Sequence, residues 1–156
     1  MKKILCAVLP VVMMLSGCAS GSAAGVQIDP AAAARTLLHE GGLDDISTMS
    51  ELTGSLADSF YALPGEVMEY AIYVDGSGAT AREVAVLKVE NSGDVTKARE
   101  AIDARLRTLA REFENYQPGE MQKINNPVIS VRGNVAYLII TDNPQQAERA
   151  IDALYR

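Results

Sequence analysis

Cys18 is the residue whose neighbours most clearly assign it a reaction. It ends Leu15-Ser16-Gly17-Cys18, which follows a basic start, Met1-Lys2-Lys3, and an apolar run from Ile4 to Leu15 broken only by Pro10. That run is too short to cross a hydrocarbon layer of roughly 30 Å, which takes about 20 apolar residues. Basic start, short apolar run and small residues read as a cleavable export signal. Leucine at minus three and cysteine directly after the small pair form a lipobox. Its thiol takes a diacylglyceryl group, and cleavage between Gly17 and Cys18 frees the cysteine amine. The competing reading is an ordinary signal cut nearby, with Cys18 a chance residue.

Other residue types offer less chemistry. Glu83 opens an otherwise apolar stretch, and a carboxyl in apolar surroundings is what a general acid with a raised pKa requires. The blander role is an ion pair, and Arg105 is the partner we expect. Asp44, Asp45 and Asp94 fall in loops, without the spaced acids of an EF-hand. His39 is the only histidine, and zinc sites take several His or Cys ligands; its place near a helix end suits a favourable terminal charge. No Gly-x-Ser-x-Gly elbow is present, and Gly76-Ser77-Gly78 lacks the lysine of a phosphate loop and opens no helix. We therefore expect no catalytic residues, no metal and no cofactor. Tyr116 and Pro118 leave a long helix together. They form either a corner with the ring packed on a sheet, which is the preferred reading, or a groove for a peptide or cell-wall fragment. Gly133 and Asn134 complete the candidate binding or structural positions, in a tight turn.

Composition narrows the partners. Removing residues 1–17 from 156 leaves 139 residues, enough for one domain that buries a core without staples. Cys6 leaves with the signal and Cys18 is acylated, so neither remains for a disulfide. Losing Lys2 and Lys3 moves the formal charge from −6 to −8, which repels nucleic acid and anionic lipid. The chain has no Trp and two Phe, a poor stock for stacking bases or sugars. Each buried methylene contributes about 0.8 kcal/mol, and two or more acyl chains hold stably. The bilayer, reached through acylated Cys18, is thus the first expected partner.

The elements follow. Residues 18–28 form a lipidated cysteine and an Ala/Gly/Ser-rich tether, whose nine residues 19–27 span about 15–18 Å on average. Residues 29–156 are expected to form a single α+β domain. Asp29-Pro30 caps a helix that Gly41-Gly42 ends, with Ala34, Leu37 and Leu38 on one face. Leu43–Gly65 is ambiguous; Leu52, Leu56 and Phe60, four apart, fit a short helix over about 53–61. Met68, Tyr70, Ile72 and Val74 alternate as a strand, and 82–89 returns as its hairpin partner. Val95, Ala98, Ile102, Leu106, Leu109 and Phe113 then mark a helix of about six turns, ending near Asn115 ahead of Pro118. Strands over 128–131 and 135–140 flank Arg132-Gly133-Asn134, and Asn143-Pro144 opens a last helix with Ala147, Ala150, Ile151 and Leu154 inward. This β-β-α-β-β-α order after one or two N-terminal helices predicts a four-stranded antiparallel sheet with helices packed on one face.

With these elements placed, the chain resembles the small lipid-anchored bacterial envelope proteins grouped as domain of unknown function 4358. The resemblance rests on Ala81-Arg82-Glu83-Val84-Ala85-Val86-Leu87-Lys88-Val89, Ala104-Arg105-Leu106, Phe113-Glu114-Asn115-Tyr116-Gln117-Pro118 and Val131-Arg132-Gly133-Asn134-Val135, and covers roughly 52–154. It implies an exported lipoprotein of the same element order, and no activity. Met121 and Val135 stand where that family is expected to carry aromatic residues; rings lining a shared cleft would leave this chain's cleft altered. The expected function is a non-enzymatic binding or interaction module of the cell envelope. It would be held at the extracytoplasmic face of the membrane, where a second partner is another envelope protein or peptide. A small envelope hydrolase using acids such as Glu83 is the alternative. A solute-capturing lipoprotein fits poorly, because such proteins close two lobes around a ligand.

Overall fold

A computed structural model describes residues 26–156; Cys6, Gly17 and Cys18, and with them the signal, the lipobox and most of the tether, lie outside the described residues. The chain runs α1 (Pro30–Glu40), β1 (Met49–Leu52), α2 (Ser55–Tyr61), β2 (Val67–Asp75), β3 (Glu83–Val89), α3 (Val95–Tyr116), α4 (Met121–Ile124), β4 (Val128–Arg132), β5 (Val135–Ile140) and α5 (Pro144–Ala153). All strands pair antiparallel in the order β1-β2-β3-β5-β4.

Two expectations are corrected. The sheet has five strands, not four, because Met49–Leu52 pairs with the end of β2, and the chain order accordingly gains a strand between the two N-terminal helices. This strand is only four residues long and buries only Leu52, so it carries no alternation to detect. The helices cover both faces, not one. Ile72, Val74, Ala85, Leu87, Ala136, Leu138 and Ile140 pack against Ala98, Ile102, Leu109 and Phe113 of α3. Their alternates Ala71, Val84, Val86, Val135, Tyr137 and Ile139 pack against Ala34 and Leu37 of α1 and Ala147 and Ile151 of α5. Covering both faces is why β3 and β5 are apolar at nearly every position. A fully buried Leu, Ile or Phe contributes about 1.5–3 kcal/mol, and both layers are built from such residues.

Local chemistry sets the element ends. The Asp29 carboxylate accepts from the Ala31 N–H at 2.9 Å, and the Asn143 side chain accepts from Gln146 at 3.2 Å, with proline following each cap. Gly42, at φ +76°, lies where a Cβ would stand 2.8 Å from the Asn143 carbonyl oxygen, so only glycine lets the loop after α1 approach α5. The hydroxyl of buried Thr141 donates toward the carbonyls of Gly41 and Gly42, 2.9 and 2.6 Å away, tying that loop to the end of β5. Gly133, at φ +59°, is the first central residue of the two-residue β4–β5 turn, the position a type II′ hairpin reserves for glycine. Asn134, second in that turn, donates from Nδ2 to the Val89 carbonyl at 2.7 Å and staples the hairpin to the end of β3.

The α2 segment also differs from its expected face. Ala57 and Tyr61 are its buried side chains, while Leu56 and Phe60 are exposed and Leu52 belongs to β1. Gly54 and Ala62 bracket the helix with positive φ, +55° and +44°.

A buried ionic floor beneath an apolar cavity

Alternation along β3 places Glu83 on the same side as Ala85, Leu87 and Val89, facing α3. Spacing along α3 places Arg105 between Ile102 and Leu109 on the inward stripe. The two side chains meet. The Arg105 guanidinium donates from Nε to both carboxylate oxygens of Glu83 at 3.2 Å and from Nη2 to Oε2 at 2.8 Å. Glu83 is 1% exposed and Arg105 5%. Cross-strand neighbours of Glu83 are Val74 and Ile140, both apolar, so no water-rich surface solvates the carboxylate.

A third member was missed in the sequence. Tyr61, the last residue of α2 and 1% exposed, donates its hydroxyl to Glu83 Oε1. Burial, then the Glu83 charge, pushes the Tyr61 phenol well above its ordinary value, so it stays protonated and remains a donor. Burial works against the Arg105 charge, but Glu83 outweighs it and its pKa is raised. Phe60, one residue before Tyr61, lays its ring 4.7 Å from the Arg105 guanidinium carbon, a cation–π cover. No sequence signal singled out this pair, because one short helix carries Phe60 outward and Tyr61 inward.

Above this floor lies a cavity of about 630 Å³, between α2 and the C-terminal half of α3, reaching the edge strand β1. Leu52, Leu56, Val74, Leu109 and Phe113 are among its walls. A smaller hollow of about 300 Å³ shares Phe60, Arg105 and Glu112 with it. Three of the large hydrophobic residues left exposed line the main cavity: Leu56 at 55%, Phe60 at 37% and Tyr116 at 67%. The preferred reading of Tyr116, a ring packed on the sheet, is therefore corrected. It meets Phe113 edge-on, with centroids 6.4 Å apart, and otherwise faces solvent at the cavity. Pro118 is exposed, opens a single 3-10 turn and does not line the cavity. Its neighbour Glu120 accepts from the Ala81 N–H at 3.0 Å.

The remaining ionisable groups are mostly engaged. At Asp75, burial acts to raise the carboxyl, but hydrogen bonds from Ser77 and Thr80 hold it well below the usual range. Arg82 pairs with Asp142 at 2.8 Å, which Lys123 also reaches at 2.8 Å. Burial opposes the Asp142 charge, yet Lys123 and Arg82 lower it to about 2. Asp44 donates its N–H to Asp142 at 3.3 Å, and Asp45 caps the Ser47 N–H at 2.8 Å. Asp94 lies 3.8 Å from Lys97 at the start of α3. His39 is exposed in the last turn of α1. Met121 packs toward α3, whereas Val135 faces α1 and α5, so these two positions share no cleft. Among the described residues, no cluster of three His, Cys, Asp or Glu is arranged to hold a metal, and no helix is long and apolar enough to cross a membrane.

The geometry defines an α+β domain whose five-stranded sheet carries an apolar cavity over a buried carboxylate–guanidinium–phenol cluster. The sequence model of the family described as Domain of unknown function (DUF4358) matches residues 44–141, and the chain belongs to that family. The match runs from the loop before β1 to the end of β5 and includes Tyr61, Glu83 and Arg105. Searches of curated proteins and of solved structures gave no significant match.

Proposed function

We propose that the protein is a non-enzymatic binding module, anchored at the extracytoplasmic face of a bacterial membrane through acylated Cys18, and that the cavity between α2 and α3 is its binding site. The observation carrying this reading is the collar of exposed Leu56, Phe60 and Tyr116 around an open apolar cavity. Exposed apolar groups gathered at one concavity mark a place where something apolar docks. The floor supports binding over acid catalysis. Both Glu83 oxygens accept from Arg105, and Oε1 also accepts from Tyr61, which leaves the carboxylate committed to its partners. The lipobox, the tether and the chain's net negative charge support the address.

Two measurements test the two parts. Mass spectrometry of the mature N-terminus should find residue 18 first and acylated; an unprocessed Met1 overturns the anchor. For the site, a deletion strain with an envelope defect should be rescued by the wild-type chain and not by Leu56→Glu/Tyr116→Ser, which changes only exposed cavity residues. Full rescue by that folded variant overturns the cavity as the site.

A further inference from the structure

Resting on that reading, we infer that the cavity receives an extended apolar peptide of a partner protein, which adds to β1 as a sixth strand and carries a basic residue to Glu112. β1 ends the strand order, so one side of its backbone faces no strand. Gly76 donates to the Thr48 carbonyl at 2.9 Å, and Thr48 stands one position before the Met49–Asp75 pair. Antiparallel alternation then turns the backbone groups of Ser50 and Leu52 toward β2 and those of Glu51 outward. The Glu51 N–H and C=O are thus free to pair with an added chain. On the face toward α3, Ser50 and Leu52 line the cavity. A strand laid beside β1 presents alternate side chains to that same face, so ladder bonds and side-chain pockets are offered together.

Charge selects among apolar ligands. Glu83 and Arg105 cancel, Asp75 is capped by its own turn, and Arg82 belongs to Asp142. Glu112, with a side chain 57% exposed, has one cation within 4 Å among the described residues: Arg105 Nη1 at 3.8 Å, already neutralised by Glu83. Glu51, exposed and also lining the cavity, forms no salt bridge among the described residues, so the cavity presents uncompensated negative charge at both Glu112 and Glu51. It favours Lys or Arg on the ligand and disfavours carboxylate and phosphate headgroups. Nη1 itself makes no hydrogen bond. Every sealed side-chain nitrogen or oxygen among the described residues has a partner, so Nη1 touches open space and offers donors to a neutral carbonyl such as a peptide's.

The test pans a randomised heptapeptide phage library against the full chain in phosphatidylcholine nanodiscs, with Leu56→Glu/Tyr116→Ser as the counter-selection. Enriched peptides should alternate apolar side chains and carry Lys or Arg. Bound peptide should slow hydrogen exchange at the Glu51 amide. Methylating the peptide nitrogens that face β1 should weaken binding at least about tenfold, and Glu112→Gln about two- to fivefold. Enrichment no greater than on the counter-selection variant overturns the inference, as does unchanged exchange at Glu51 or tolerance of N-methylation. Native mass spectrometry separates the two claims. An acylated lipid retained by the wild type, lost from the double variant and accompanied by no peptide enrichment sinks the peptide while the binding reading stands.

Discussion

Removing one member of the Tyr61–Glu83–Arg105 cluster should cost far more than removing all three. Glu83→Leu leaves a guanidinium that is 5% exposed without its counter-charge and a phenol without its acceptor. Breaking a buried pair by removing one partner costs about 3–5 kcal/mol, and an orphaned hydroxyl adds about 1–3 kcal/mol. Against a whole-domain stability of about 5–15 kcal/mol, that brings the fold close to its limit. Tyr61→Phe removes one hydrogen bond to a charged acceptor that Arg105 still satisfies, at a cost of about 1.5–3 kcal/mol. Glu83→Gln keeps the shape and loses the charge, so it should fall between the two. The triple variant Tyr61→Phe/Glu83→Leu/Arg105→Met leaves nothing unsatisfied, and substitutions of this kind are commonly neutral or stabilising by about 1–4 kcal/mol. The measurement is urea unfolding of residues 26–156 followed by far-ultraviolet circular dichroism, since the chain has no Trp to report. A cost below about 1 kcal/mol for Glu83→Leu, or a triple variant worse than that single one, would refute the reasoning. Either result would mean that water reaches the cluster.

Four further outcomes follow from the same geometry. Tyr61 and Tyr137 have phenols raised above the ordinary 10, chiefly by burial, so the stability they contribute is complete below pH 10 and lost above it; Tyr61→Phe should flatten part of that alkaline slope in pH-dependent melting. Asp142 is lowered to about 2 and Asp75 is lowered further, so their contribution is complete above about pH 3.8 and lost as pH falls below it; Asp142→Asn should lower stability at pH 7 and shrink the acid-side loss. Ala62, a non-glycine residue at φ +44°, carries a left-handed cost of about 1–2 kcal/mol, partly offset by the roughly 0.5–1 kcal/mol glycine loses on folding; Ala62→Gly should raise the urea midpoint. Gly133→Val should cost at least about 1 kcal/mol, with Gly133→Asn cheaper, because a Cβ there meets nothing within 4 Å and only φ is at stake.

Periodicity exposed most of the fold, and its failures have physical causes. The α3 stripe is legible because Ala98, Ile102, Leu109 and Phe113 recur at helical spacing and all are buried. The one-face arrangement misjudged the sheet, although β5 held the opposite signal. Six consecutive apolar residues, Val135–Ile140, have no solvent face, and the α1 stripe of Ala34, Leu37 and Leu38 needs a surface to cover. Together they require helices on both sides. β1 escaped, and α2 was expected with the wrong face buried, for another reason. Four residues with one buried cannot alternate visibly, and Leu52, Leu56 and Phe60 imitate a helical stripe while lining a cavity from two elements.

That imitation explains how much of the site could be read. Glu83 was legible because it interrupts an apolar series at an inward position of period two; Arg105 was reached only as a cation on the long helix able to face it, since Leu106 completed the stripe without it. A charge at such a position needs a partner of opposite sign on the facing element. Tyr61 was not legible, since tyrosine at a helix end is unremarkable until its acceptor is known. The collar was hidden by the rule that exposes the core. Apolar residues are assigned inward by default, so Leu56, Phe60 and Tyr116 were first counted toward packing. Only the folded arrangement separates an apolar side chain that fills the interior from one left waiting at an opening, and here the latter cluster beside the edge strand β1.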